Sequence, residues 1–339
     1  MKSPIGQQIV KRYRCCDANV WGIQKKCRPL YPIESSREPL PGLIPVTDSV
    51  PIPGTDRHLP AQTETRKERQ EKTMRLVKPK KFLGQHFLKD LKIAQDIADT
   101  VDACPGLPVL EVGPGMGVLT QFLIPKGRPL KVVELDFESV AYLREHFPAL
   151  EEGIIEDDFL KMHLDRLFDG QPFVLTGNYP YNISSQIFFK MLEYKELIPC
   201  CTGMIQKEVA ERMAAAPGSK TYGILSVLMQ AWYRVEYLFT VHEHVFNPPP
   251  KVKSAVIRMT RNDTRELGCN EQLFKQVVKT TFNQRRKTLR NSIKPILGKE
   301  SPLLADDIFN KRPEQLSVEQ FVELTNRVEA ELAKEATRP

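Results

Sequence analysis

No stretch of the 339-residue chain approaches 18 uninterrupted apolar residues, which excludes a membrane-spanning helix. Cysteine is scarce. The seven present are an odd number at irregular spacings, which argues against a disulfide framework and fits a reducing compartment such as the cytoplasm. A strong charge of one sign is missing from most of the chain. The net charge is +7, but residues 1–73 hold 13 Lys/Arg against 8 Asp/Glu, and the remaining 266 residues hold 36 against 34. Global charge is therefore weak support for nucleic-acid binding, and such a reading has to rest on local clusters. Hydrophobic residues at 41% and charged residues at 27% are those of an ordinary globular protein, long enough for two domains or one with an appendage.

Residues 1–73 differ from the rest. They carry nine prolines and no sustained hydrophobic period, and Thr63 to Lys72 is almost entirely polar. Such a segment cannot bury enough apolar area to offset its chain entropy, so disorder or loose attachment is expected. Three readings compete: a mis-assigned extension upstream of a natural start at Met74, a basic arm touching RNA, or a transit peptide. Cys15, Cys16 and Cys27 lack a fourth ligand at zinc-like spacing, and no metal site is assigned.

From Lys81 onward, short apolar runs alternate with helical periodicity. Strands are predicted at 108–112, 130–135, 153–156, 173–176 and 203–205. Helices are predicted at 91–101, 118–123, 138–146, 184–192 and 223–232. This alternation predicts an α/β fold, a mostly parallel sheet with helices on both faces. Two later strands, 235–241 and 255–260, flank the corner Pro248-Pro249-Pro250. Helical patterns at 271–282, 289–297, 303–309 and 318–332 predict a small C-terminal all-α domain. The expected partition is 1–73, 74–263 and 264–339.

Val109-Leu110-Glu111-Val112-Gly113-Pro114-Gly115-Met116-Gly117 is a strand entering a glycine turn, and Glu134 ends the next strand 21 residues after Gly113. A carboxylate there can accept both hydroxyls of a ribose. A nicotinamide fingerprint would want glycine at position 118, which is Val118. The G-x-G-x-G spacing resembles instead the loop of class I methyltransferases that bind S-adenosylmethionine. Asp158, ending the third strand, is placed to meet the adenine amino group of that donor, with a plain surface carboxylate as the alternative.

The fourth strand runs into Thr176-Gly177-Asn178-Tyr179-Pro180-Tyr181-Asn182-Ile183-Ser184. In an open α/β sheet, ligands sit at the carboxyl ends of strands, so Asn178 and Tyr181 fall where chemistry belongs. An exocyclic adenine nitrogen is a poor nucleophile because its lone pair is delocalised into the ring. Two acceptors on its hydrogens would localise that pair: the Asn178 side-chain oxygen and a backbone carbonyl aimed by Pro180. Tyr181 offers a flat face for the base. Acceleration would then come mostly from alignment.

Gly84-Gln85-His86-Phe87-Leu88, the glycine loop, the Asn178–Ser184 segment, Phe246–Val256 and Phe282–Ser292 occur in this order. Together they closely resemble the ribosomal RNA adenine dimethyltransferases over residues 75 to about 330. The resemblance implies dimethylation of N6 on two adjacent adenosines near the 3′ end of small-subunit rRNA. It also implies a role in small-subunit biogenesis, with the immature subunit as partner and the protein acting as a monomer. It places donor contacts at Gln85, His86, Leu88, Gly113, Gly115, Glu134, Asp158 and Asn178. It also sets Phe246 opposite Tyr181 as a second stacking face. Many members have Asn at the position of His86, and Leu or Ile at that of Tyr179, a departure that bears on the pocket wall.

RNA contacts are expected at Lys80 and Lys81, at Lys251 and Lys253, and at Arg285, Arg286, Lys287 and Arg290, provided they share a face. A solvated helix face is the alternative for the last run. Methylation of large-subunit rRNA, or a non-catalytic assembly factor on the same fold, are the competing functions.

Overall fold

The computed structural model describes residue 80 and residues 84–337. The expectations for residues 1–73 and for Lys81 lie outside the described residues.

A two-residue strand β1 (Phe87–Leu88) precedes helix α1 (Leu91–Asp99). Asp90 caps α1 by accepting the N–H groups of Lys92 and Ile93 at 3.0 and 3.2 Å. Then come β2 (Val109–Val112), α2 (Thr120–Leu123), β3 (Leu130–Glu134), α3 (Phe137–His146), β4 (Ile154–Glu156), β5 (Val174–Thr176), α4 (Ser184–Glu193) and β6 (Cys200–Gln206). After them follow α5 (Lys207–Ala214), α6 (Ile224–Gln230), β7 (Tyr233–Val241), β8 (Phe246–Asn247) and β9 (Ser254–Arg261). The sheet order is β4-β3-β2-β5-β6-β9-β7. The first five strands in that order are mutually parallel, and β9 runs antiparallel between β6 and β7.

The period of two along each strand sorts side chains onto two faces. Val109, Val174, Cys200 and Val256 join one apolar cluster with α1 residues Ala94, Ile97 and Ala98. Leu110, Leu175, Cys201 and Ile257 join the other, with α4, α5 and α6. Central strands covered on both faces are mostly apolar, with Glu111, Thr176 and Thr202 as buried exceptions, which is why they read as short continuous runs.

After Arg261 come α7 (Glu271–Asn283), α8 (Leu289–Ser292), α9 (Lys294–Leu297) and α10 (Val318–Thr337). Phe274, Val277, Val278 and Phe282 of α7 belong to the same cluster as Leu110 of the sheet. The sheet face and the helical region thus share one core.

Several predicted elements differ from the structure. The helix expected over 289–297 is interrupted at Ile293, because Pro295 in the first turn of α9 has no N–H to continue the ladder. The helix expected over 303–309 is two 3-10 turns, Pro302–Ala305 and Asp307–Asn310. Helix α5 was not anticipated, since its KEVAERMA sequence buries only Ala210 and Met213. The pairing of β1 with β8 was equally silent, being only two residues long.

The chain leaves β2 for β3 and β4 on one side and returns to β5 on the other, so the strand order reverses between β2 and β5. Backbones approach closely there. A Cβ on Gly177 would lie 2.5 Å from the Val112 carbonyl oxygen, and one on Gly203 would lie 2.3 Å from that of Gly177. Gly203 also takes φ of 138°. Gly203→Ala is therefore expected to destabilise the protein by about 1–3 kcal/mol. A chemical-denaturation midpoint equal to the wild type would contradict this crowding.

Candidate active site

A cavity of about 310 Å³ opens at the carboxyl ends of β2, β3 and β5, at the reversal of strand order. The loop after β2 forms its floor, with Gly113, Gly115 and Gly117 at φ of 68°, 55° and 75°. The Gly113 N–H donates to Val133 C=O at 2.9 Å and extends the β2–β3 ladder into the loop.

Glu134 staples this loop. Its Oε2 accepts the Gly115 N–H at 3.0 Å, and its Oε1 accepts the Leu135 and Asp136 N–H groups, each at 2.9 Å. Burial pushes its carboxyl above the ordinary carboxylate range, and the three backbone donors oppose that shift. A carboxylate has about four lone-pair sites, so acceptor capacity remains for a ligand.

The third wall is the turn after β4. Asp158 Oδ1 accepts the Leu160 N–H at 3.0 Å, and its Oδ2 pairs with Lys161 at 3.1 Å. Phe159 and Leu160 supply apolar surface beside it.

The segment after β5 closes the site. The Tyr179 N–H donates to Met204 C=O at 3.0 Å and the Met204 N–H to Gly177 C=O at 2.9 Å, which pins the backbone on both sides of Asn178. The Asn178 Nδ2 donates to His86 C=O at 3.2 Å. That bond uses the amide's donor end and leaves its oxygen for the cavity. Pro180 C=O accepts the Ile183 N–H at 3.2 Å and keeps a second lone pair. The Tyr181 hydroxyl is hydrogen-bonded to Ser254 Oγ. The His86 ring stacks on Tyr181 with centroids 5.5 Å apart, and its Nδ1 lies 2.9 Å from Pro248 C=O.

A model of the family described as ribosomal RNA adenine dimethylase matches residues 77–330. The chain is 83% identical over 259 residues to the ribosomal RNA small subunit methyltransferase A of Phocaeicola vulgatus, covering 76% of this chain and 92% of that protein. It is 83% identical over 264 residues to the protein of the same name from Bacteroides thetaiotaomicron, covering 78% and 98%. Among solved structures, a dimethyladenosine transferase from Plasmodium falciparum is similar at 26% identity and a TM-score of 0.60, covering 73% of this chain and 98% of that one. The 23S rRNA methyltransferase ErmE is similar at 26% identity and a TM-score of 0.51, covering 72% and 99%.

The chain belongs to the ribosomal RNA adenine dimethylase family. The fold is accordingly that of a class I methyltransferase, as the strand alternation and glycine loop predicted.

In this dimethylase all the residues expected to contact the donor, together with Pro180 and Tyr181, line the one cavity. Phe246 does not. It is 1% exposed, packs with Leu88, Ile97 and Val256, and stands opposite Leu88 in the β1–β8 pair. The apolar core claims its ring, so the aromatic partner facing Tyr181 is His86. Tyr179 likewise turns inward. Its hydroxyl donates to Thr202 C=O at 2.8 Å and its ring packs edge-on against Phe188, while the residue still lines the cavity, so the departure bears on both the core and the wall.

The basic residues divide. Lys80 is ion-paired with Asp136 and, at 3.2 Å, with Glu138, and it lies over the Phe137 ring. Two carboxylates thus flank the ammonium that the sequence offered as an RNA contact. Its backbone N–H and Asp136 also hold Gln85. Arg285 is half-buried and donates to Ser219 C=O at 3.2 Å. Lys251, Lys253, Arg286, Lys287 and Arg290 are exposed.

Glu111 was not anticipated. It is 1% exposed on β2, lines the cavity, and accepts the Thr120 hydroxyl at 2.6 Å. Burial raises its pKa from the ordinary 4.5 to about 8. A lone acid inside a strand buried on both faces was the available signal. Because the folded value exceeds the unfolded one, the contribution of the protonated form is complete below the ordinary value and is lost as pH rises through about 8. Glu111→Gln removes this titration. The stability of wild type relative to the variant is expected to fall by a few kcal/mol between about pH 5 and about pH 8. Melting curves for both proteins across that range measure it, and parallel pH profiles would contradict it.

Proposed function

We propose that the protein transfers methyl groups from S-adenosylmethionine to N6 of two adjacent adenosines near the 3′ end of small-subunit rRNA, dimethylating each, during subunit biogenesis in the cytoplasm. The single observation carrying this reading is Asn178. It is pinned at the carboxyl end of β5 with its amide nitrogen engaged, beside Tyr181 and in one cavity with the glycine loop.

The cavity's side chains fit the donor. Glu134 offers a buried carboxylate for ribose hydroxyls. Asp158 stands beside apolar Phe159 and Leu160, which suits an adenine edge and face. Gly113 and Gly115 bring backbone rather than side chain to the methionine moiety. Gln85, His86 and Leu88 cover it from the N-terminal arm. The bound donor supplies an activated methyl carbon and its own leaving group.

The chain's residues then prepare the nucleophile. Asn178 Oδ1 and the Pro180 carbonyl accept hydrogens from N6, drawing its lone pair out of the ring, while Tyr181 stacks on the base. Ser254 holds the Tyr181 hydroxyl and so fixes the plane of that ring. Extruding an adenine costs a few kcal/mol, which stacking on an aromatic face helps to offset. The proton leaves after transfer, so no strong base is needed.

The small subunit is favoured as substrate over the large one because the relatives at 83% identity carry the small-subunit name, while the 23S methyltransferase stands at 26%. The exposed Lys251, Lys253, Arg286, Lys287 and Arg290 are the phosphate contacts, with the helical region after residue 264 as the RNA-binding part. We read the protein as a monomer on the immature subunit.

Incubating small-subunit particles with labelled S-adenosylmethionine and mapping the label tests the assignment. Label is expected on N6 of two neighbouring adenosines, and its absence there rejects the reading. Asn178→Ala is expected to lower transfer at least about 100-fold while the variant still binds particles. Normal subunit maturation with that variant would favour a non-catalytic assembly role. Arg286→Ala is expected to weaken particle binding and to reduce the salt slope by about 1. Binding assays at several salt concentrations read this out.

A further inference from the structure

Lys190 of α4 is the one lysine or arginine among the described residues that is buried, at 7% exposure. Its ammonium donates to the Met162 carbonyl and lies 5.7 Å from the Phe159 ring centroid and 5.8 Å from that of Tyr194. The Lys161 and Met162 N–H groups donate to Asp158 C=O at 2.8 and 3.2 Å. Residues 158–162 are thus a single turn, with Asp158 at its amino end and the Lys190 ammonium at its carboxyl end. Cations are favoured where carbonyl groups point out of a turn.

Placing an ammonium here is costly, because burial removes it from water and leaves it one carbonyl and two ring faces. Burial lowers its pKa, and the carboxylates of Glu193, Asp158 and Asp157 oppose that shift. A methionine would fill the same volume without this penalty. What it could not do is hold the Met162 carbonyl. That carbonyl belongs to the turn whose Asp158, Phe159 and Leu160 wall the cavity. Helix α4 itself begins directly after the Asn178–Ile183 segment. Lys190 therefore ties the helix that follows the reacting segment to the turn on the opposite wall.

We infer that Lys190 is a positioning residue for methyl-donor binding, fixing the Asp158–Met162 turn through the Met162 carbonyl. The inference rests on the assignment of that turn to the donor's adenine. Its effect belongs to donor affinity rather than to the transfer step, since nothing in this chain of contacts reaches Asn178 Oδ1.

Calorimetric titration of the full-length protein with S-adenosylhomocysteine tests it. Lys190→Met keeps length and volume and removes the ammonium. Affinity is expected to fall at least about tenfold, with KM for the donor rising in step and kcat at saturating donor changing less than about threefold. Lys190→Arg, which restores a cationic donor, is expected to recover most of the affinity. Lys190→Gln, a milder change, is expected to fall between them and decides the matter if the Met variant does not fold. Leu192→Ala, a core truncation on the same helix, is expected to lose stability and keep donor affinity. The inference is overturned if folded Met or Gln variants bind within about twofold of wild type, or if Leu192→Ala weakens binding as much. Absence of binding to the wild type, or unchanged affinity in Asp158→Asn, would instead remove the donor assignment beneath it.

Discussion

Backbone crowding between β2, β5 and β6 is the constraint on which the site depends. Gly177 and Gly203 let three parallel strands close to distances that leave no room for a Cβ. That approach permits the reciprocal pair between Tyr179 N–H and Met204 C=O and between Met204 N–H and Gly177 C=O. Asn178 sits inside this clamp, so its backbone is fixed before its side chain does anything. The His86 carbonyl then fixes the amide. In the proposed reaction a side chain that polarises a weak nucleophile has to be aligned in advance, because alignment supplies most of the acceleration such chemistry allows.

The acids of the site follow a second logic. Glu111 and Glu134 lie on neighbouring parallel strands and are both buried, but their partners differ. Glu134 faces three backbone donors that favour its ionised form. Glu111 has one hydroxyl and is pushed up to about 8. Burial raises both, but at Glu134 three backbone donors oppose the shift, whereas Glu111 sits beneath the loop largely protonated at neutral pH. Environment, rather than residue type, separates them.

The parts of this arrangement legible in the chain are those set by short-range pattern. Val109–Val112 and the glycines after it announce a strand entering a turn, and Asn178–Tyr181 announces a strand end, because period and turn chemistry act locally. The burial of Phe246 was not legible because its place depends on a two-residue pairing with β1, a contact across more than 150 residues that no periodicity records. The ion pairs of Lys80 were illegible for a related reason. A lysine cluster in sequence says nothing about carboxylates at Asp136 and Glu138 until the fold brings them together. The 303–309 region has helical spacing, but Pro302 and the lack of a capping bond leave only 3-10 turns.

The same distinction governs the charge. A net +7 belongs mostly to residues 1–73, and what remains over the rest of the chain is nearly balanced. A phosphate backbone senses potential within a Debye length of about 8 Å, so balance over the whole chain matters less than local imbalance. Lys80 and the half-buried Arg285 are committed to protein oxygens, and each holds a segment in place: the arm over the cavity in one case, the 219 loop against α7 in the other. Arg286, Lys287 and Arg290 are left exposed beside Arg285. A basic run therefore does two jobs with one residue type. The member that reaches a carbonyl anchors the surface, and its neighbours carry the charge that surface presents.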